Sequence, residues 1–122
     1  HTSADNLDFV KPESLEESLC IYRKVIDMLE ANRCFRNLIP KCEPQLGKRG
    51  LYDKTGGYNN TKEFQLALLW ILNLSDGKYS LLDIAKRASI KFEIIKYAAT
   101  QLKNARLLED IANSKNDTVI GI

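Results

Sequence analysis

The stretch Lys62–Leu74 constrains this chain more than any other. Phe64, Ala67, Leu68, Ile71 and Leu74 recur at helical spacing, and Leu66, Leu69, Trp70 and Leu72 fill the remaining sides. A helix that is apolar nearly all round persists in water only when other elements cover it. The stretch therefore predicts a central helix, with Phe64 and Trp70 in the core. Thr61 is placed to cap its start, and Gly77, in Ser-Asp-Gly-Lys, stops it by taking a left-handed conformation without a Cβ penalty.

Short elements succeed this helix. Ser80-x-x-Asp83 has the form of a capping box with Asp in place of Glu, and it opens a helix over Leu81–Ala88 with Leu82, Ile84 and Ala85 inward. After Ser89-Ile90-Lys91 a further helix runs from Phe92 to Asn104, burying Ile94 or Ile95, Ala98, Ala99 and Leu102. Two short helices joined by such a turn form a helix-turn-helix. Leu107–Ile111 and Thr118–Ile122 read as strands on either side of the turn-rich segment 113–117, and Tyr79-Ser80 is a candidate third strand. The order helix, helix, helix, hairpin predicts a winged helix-turn-helix domain over 61–122. The fold class is mainly α with a small β-hairpin.

The first half is built differently. Pro12 suits the first turn of a helix, and Ser14-x-x-Glu17 resembles a capping box. Leu15, Leu19, Tyr22, Ile26 and Leu29 occur at 4-3-4-3 spacing, and Val25 and Met28 widen the stripe. A helix over about 12–31 must bury that face, either in its own domain or against a neighbour outside the chain. Residues 32–60 hold no sustained period. Pro40, Pro44, Gly47, Gly50 and Gly56-Gly57 give them turn chemistry, while Phe35, Leu38, Ile39, Leu46, Leu51 and Tyr52 suggest a linker laid on a surface. The expected division is 1–60, an N-terminal helix with a docking linker, and 61–122, the winged domain.

Composition excludes several classes. No apolar run nears the roughly 18 residues that span a bilayer, and the first ten residues carry no signal-peptide pattern. A chain opening on histidine reads as one cut from a longer polypeptide. Three cysteines, Cys20, Cys34 and Cys42, are odd in number and lack Cys-x-x-Cys pairing, so structural thiols in a reducing cytoplasm are expected, with Cys20 on the apolar helix face. Cysteines and the single histidine lack zinc-site spacing, and no glycine-rich phosphate loop stands between a strand and a helix. Asp5 and Asp8 could orient His1, but the residues by themselves make no enzyme.

The net charge is +2, and Lys86, Arg87, Lys91, Lys96, Lys103 and Arg106 cluster against the single acid Glu93. In a helix-turn-helix the second helix reads the major groove, so Lys91, Lys96 and Lys103 are the candidate nucleic-acid contacts. No arginine stands on this helix to pair bidentately with guanine, which makes protein docking the favoured use and DNA the disfavoured one.

Three stretches together resemble a known family. His1–Val10, opening His-Thr-Ser-Ala-Asp, is similar to the end of the catalytic domain in zinc-dependent aminopeptidases of the di-zinc exopeptidase type, whose His-Thr-Ser-x-Asp histidine is the last metal ligand. Glu43–Tyr52 and Leu72–Ile84 resemble bacterial aminopeptidase-like proteins that carry a C-terminal winged helix and often accompany polysaccharide-biosynthesis genes. The resemblance extends to about Leu108. It implies that this chain is the C-terminal portion of a metallopeptidase-like hydrolase, with residues 1–60 as the C-terminal end of the aminopeptidase-like catalytic domain (the helix over about 12–31) plus the linker, and the upstream catalytic domain as its partner. It implies zinc in the intact parent, with His1 as one ligand, and no cofactor or catalytic residue for this chain alone. Association with a second copy stays open.

Overall fold

The computed structural model describes residues 8–52 and 62–111. The chain divides into two compact units, His1–Ala31 and Asn32–Ile122.

The first unit is described by one helix, α1, Pro12–Ala31. Proline stands at its first position, where the missing N–H costs nothing. The amides of Ser14 and Leu15 both donate to the Lys11 carbonyl, so Ser14 lies inside the first turn and is not a cap. No residue of α1 is buried. Cys20, expected on the apolar face, is also exposed. At about 100° per residue it falls among Glu16, Asp27 and Lys24, on the charged side.

The second unit contains β1 (Cys34–Asn37), α2 (Lys62–Leu74), β2 (Asp76–Ser80), α3 (Leu81–Ala88), α4 (Phe92–Asn104) and β3 (Leu108–Ile111). This is the winged helix-turn-helix order, mainly α with a small antiparallel sheet. The sheet order is β2-β1-β3, with β1 in the middle. Cys34 faces Ser80 on one side and Ile111 on the other, and Asn37 faces Leu108. The β1–β2 register slips between Cys34 and Arg36. Two further bonds hold the start of β1 to α3: Leu81 N–H donates to the Arg33 carbonyl, and Leu82 N–H donates to Asn32 Oδ1.

The presence of β1 corrects the linker reading of residues 32–60. A four-residue strand with only Phe35 buried leaves no alternation to detect, and its two partners come from far along the chain. The rest of that segment does lie on the core, with Leu46 and Leu51 buried. Arg49 fastens it, donating through Nε to the Pro44 carbonyl and through Nη1 to the Ala105 carbonyl. The second strand expected over Thr118–Ile122, the turn before it and the Thr61 cap lie outside the described residues.

Helix α2 packs on α3 and α4, and Phe64, Ala67, Leu68 and Ile71 of α2, Ile84 of α3 and Ile95, Ala98 and Leu102 of α4 are all fully buried. Phe64 also meets the Tyr97 ring with centroids 5.6 Å apart. The expectation of an all-round core helix is corrected at Leu66, Leu69 and Trp70, which are exposed. In this unit the other helices cover one side of α2, and no described element covers the opposite side. Leu81 and not Leu82 is the buried leucine at the start of α3.

The local signals account for the turns. Gly77, expected to stop α2, lies instead inside β2, beyond the helix end at Leu74; its φ is +90°, and a Cβ there would stand 2.7 Å from Ile111 Cδ1 in β3. Ser80 and Asp83 form the full capping box: Asp83 N–H donates to Ser80 Oγ, and Ser80 N–H donates to the Asp83 carboxylate. Ser89 closes α3 in the left-handed region, φ 55°, and turns the chain into α4.

Candidate interaction surfaces

Two surfaces of the second unit could meet a partner. One is the outer face of α4. Phe92, Ile94, Ile95, Ala98, Ala99 and Leu102 point into the core, which leaves Lys91, Glu93, Lys96, Thr100 and Lys103 exposed. All three lysines singled out from the sequence are thus accessible on or beside this helix. They are not equally free. Lys103 is paired with Asp110 of β3, a partner that sequence spacing could not reveal because the sheet brings it close. Thr100 donates its hydroxyl to the Lys96 carbonyl, so its one donor is already used. Glu93 places a negative charge in the first turn of the same helix. The face therefore has mixed charge. Nearby, Arg87 stacks on the Tyr79 ring at 4.4 Å from its centroid, which occupies one flat face of the guanidinium.

The charge at the head of α3 has a structural use. The Ser80 backbone N–H, then its hydroxyl, hydrogen-bond the Asp83 carboxylate and hold its pKa below the ordinary aspartate value, with Arg87 and Lys86 adding to the effect.

The second surface is apolar, and the periodicity alone assigned it wrongly to the interior. Leu66, Leu69 and Trp70 form an exposed stripe along α2. Beside Leu69 an open groove of about 550 Å³ runs between α2 and the segment after β1, lined by Ile39, Pro40, Pro44, Leu69 and Leu72. Arg36, Glu43 and Asp76 give it a charged rim. Asn37 fixes its floor, donating through Nδ2 to the Leu72 carbonyl and accepting from Ile39 N–H. Leu38 adds another exposed leucine next to it in sequence. Exposed apolar area rimmed by charges is the form of a protein-contact surface.

Neither surface resembles a reaction centre. Among the described residues no group of three His, Cys, Asp or Glu side chains could hold a metal ion. The cysteines are unpaired thiols, and no described helix is long and apolar enough to cross a membrane. His1, the candidate zinc ligand, lies outside the described residues, as does Asp5.

Comparison with known proteins supplies the remaining context. Residues 33–110 match the winged helix-turn-helix family, and residues 1–32 match a separate domain of unknown function. A Clostridium acetobutylicum protein named "Putative polysaccharide biosynthesis protein with aminopeptidase-like domain" is 50% identical over 109 residues. The match takes in 89% of this chain and 25% of the relative. A crystal structure of a "putative peptidase" from Clostridium acetobutylicum superposes with a TM-score of 0.75 at 46% identity, covering 91% of this chain and 23% of that one. The chain thus spans about a quarter of the length of the proteins it is similar to.

Proposed function

The chain belongs to the winged helix-turn-helix family, and on that premise we propose that it is the contact module of a longer aminopeptidase-like protein concerned with polysaccharide biosynthesis. The observation that carries this reading is the exposed stripe Leu66, Leu69 and Trp70 beside its groove. Three large apolar side chains on one helix face, next to an open groove of mixed polar and apolar lining, are costly to leave in water and gain by meeting another protein surface. The partner in this reading is the aminopeptidase-like domain, met within one polypeptide or between copies, and what supports it is the name of the Clostridium acetobutylicum relative.

In this reading the hydrolytic chemistry and its zinc belong to the aminopeptidase-like domain. What supports zinc is the His-Thr-Ser-x-Asp resemblance at His1, and the described residues offer no site of their own. His1→Ala in the longer protein is expected to lower zinc occupancy, and unchanged occupancy removes His1 from the ligand set.

The test of the contact role places charge on the stripe. Leu66 and Leu69 are exposed, so Leu66→Glu and Leu69→Glu leave the core intact. Together they are expected to weaken association of residues 33–122 with a separately produced aminopeptidase-like part that keeps residues 1–32, by about tenfold or more. Unchanged association refutes the reading.

The exposed Lys91, Lys96 and Lys103 favour a second reading, DNA contact through α4. Lysines on a mixed-charge face give salt-sensitive phosphate contact without base readout. Selection from a random duplex pool separates the two. A recovered consensus whose preference is lost in Lys96→Ala establishes the DNA reading, and sequence-blind binding lost with added salt returns the face to a solvated role.

A further inference from the structure

A helix whose broad apolar face has no cover within its own unit requires a covering surface, and α1 is such a helix among the described residues. Leu15, Leu19, Ile21, Tyr22, Val25, Ile26 and Leu29 are all exposed, several by more than half of their surface. With about 100° between residues, the apolar positions from Ile21 and Met28 through to Leu19 sweep roughly 180° of the circumference. The charged residues Glu16, Glu17, Arg23, Lys24, Asp27 and Glu30 hold the other half.

We infer that this face is covered by the aminopeptidase-like part of a longer polypeptide, so that α1 is a core helix of that part and hands the chain on to the winged unit. This rests on the reading that the chain belongs to such a polypeptide. Two observations select that occupant. The family boundary at residues 32 and 33 coincides with the boundary between the compact units, after Ala31. Residues 1–32 thus match a family of their own and are not an arm of the winged one. In addition, the width of the face argues against a second copy of α1. A coiled-coil seam is the narrow stripe of two positions per heptad and needs three or four heptads, whereas α1 has 20 residues and a much broader face.

Hydrogen exchange tests this without a variant that could fail to fold. Amides of α1 are expected to exchange at least about a hundredfold more slowly in the longer polypeptide than in the 122-residue chain, because burial protects a helix that otherwise frays. Equal rates in the two overturn the inference. Protection that arises in the 122-residue chain alone and rises with its concentration also overturns it, since a second copy is then the cover. The same measurement reads Leu66–Trp70 separately. Slow exchange at α1 with no change there keeps this inference and removes the contact role of the α2 stripe. As a second arm, Ile26→Asp in the longer polypeptide is expected to lower the melting temperature of the aminopeptidase-like part and to leave exchange in α3 and α4 unchanged. An unaltered melting temperature counts against burial of Ile26.

Discussion

Helices α1 and α2 look alike as sequences and differ as structures. Each carries leucine, isoleucine and an aromatic at helical spacing, yet α1 buries nothing and α2 buries Phe64, Ala67, Leu68 and Ile71. The difference lies in the neighbours. α2 has α3 and α4 on one side, while no described part of its own unit covers α1. Even within α2 the same rule acts: Phe64 is enclosed and Trp70, in the same helix, is exposed. Apolar spacing therefore shows that a face needs cover, and the rest of the fold decides which protein supplies it.

The comparison can be broken most directly at Phe64. Its ring is fully buried, so Phe64→Ala should cost the winged unit about 3–5 kcal/mol in denaturant unfolding. A loss below about 1 kcal/mol would put α2 in the same class as α1. Gly77→Ala comes next, because it combines positive φ with a Cβ close to Ile111. A loss of about 1–3 kcal/mol is expected, seen as a lower thermal midpoint. Ser80→Ala removes the cap of α3 and should cost about 1 kcal/mol.

The same cap gives a pH dependence. Asp83 has its pKa lowered in the folded state, so its contribution is present above the unfolded-state value and is lost as pH falls through the folded one. Acid titration of stability should show a shallower decline in Asp83→Asn than in the parent chain. Equal slopes would remove Asp83 from the acid response. The smallest effect is expected in α1, where Leu19→Ala in the 122-residue chain should change the stability of the winged unit by no more than about 0.5 kcal/mol. A larger loss would mean that this helix supports the winged unit after all.

Much of the fold was legible because the signals were local. The limits of α1, α2, α3 and α4 reflect Pro12, the 3.6-residue period, Ser80 with Asp83, and the turn at Ser89. The exposure of Lys91, Lys96 and Lys103 reflects the same period. What stayed hidden depended on distant parts of the chain. Strand β1 is too short to show a period and is defined by partners on β2 and β3. Asp110 reaches Lys103 only through the sheet, and Trp70 is exposed because no described element covers that side of α2. The groove joins α2 to the segment after β1, two stretches that share no sequence pattern. His1 and the strand expected at Thr118–Ile122 fall outside the described residues.

The middle position of β1 also sets an order of events during synthesis. The strand leaves the ribosome before either neighbour, since β2 comes after α2 and β3 after α4. The three helices can gather early through contacts close in sequence, whereas the sheet must wait until Ile111 has been made. Until then Phe35 has no completed sheet around it, and the strand presents open edges to its surroundings. Ribosome-bound chains that stop before β3 should therefore be the form most prone to strand-mediated aggregation, and completion of the last few residues of the sheet is the step that ends that exposure.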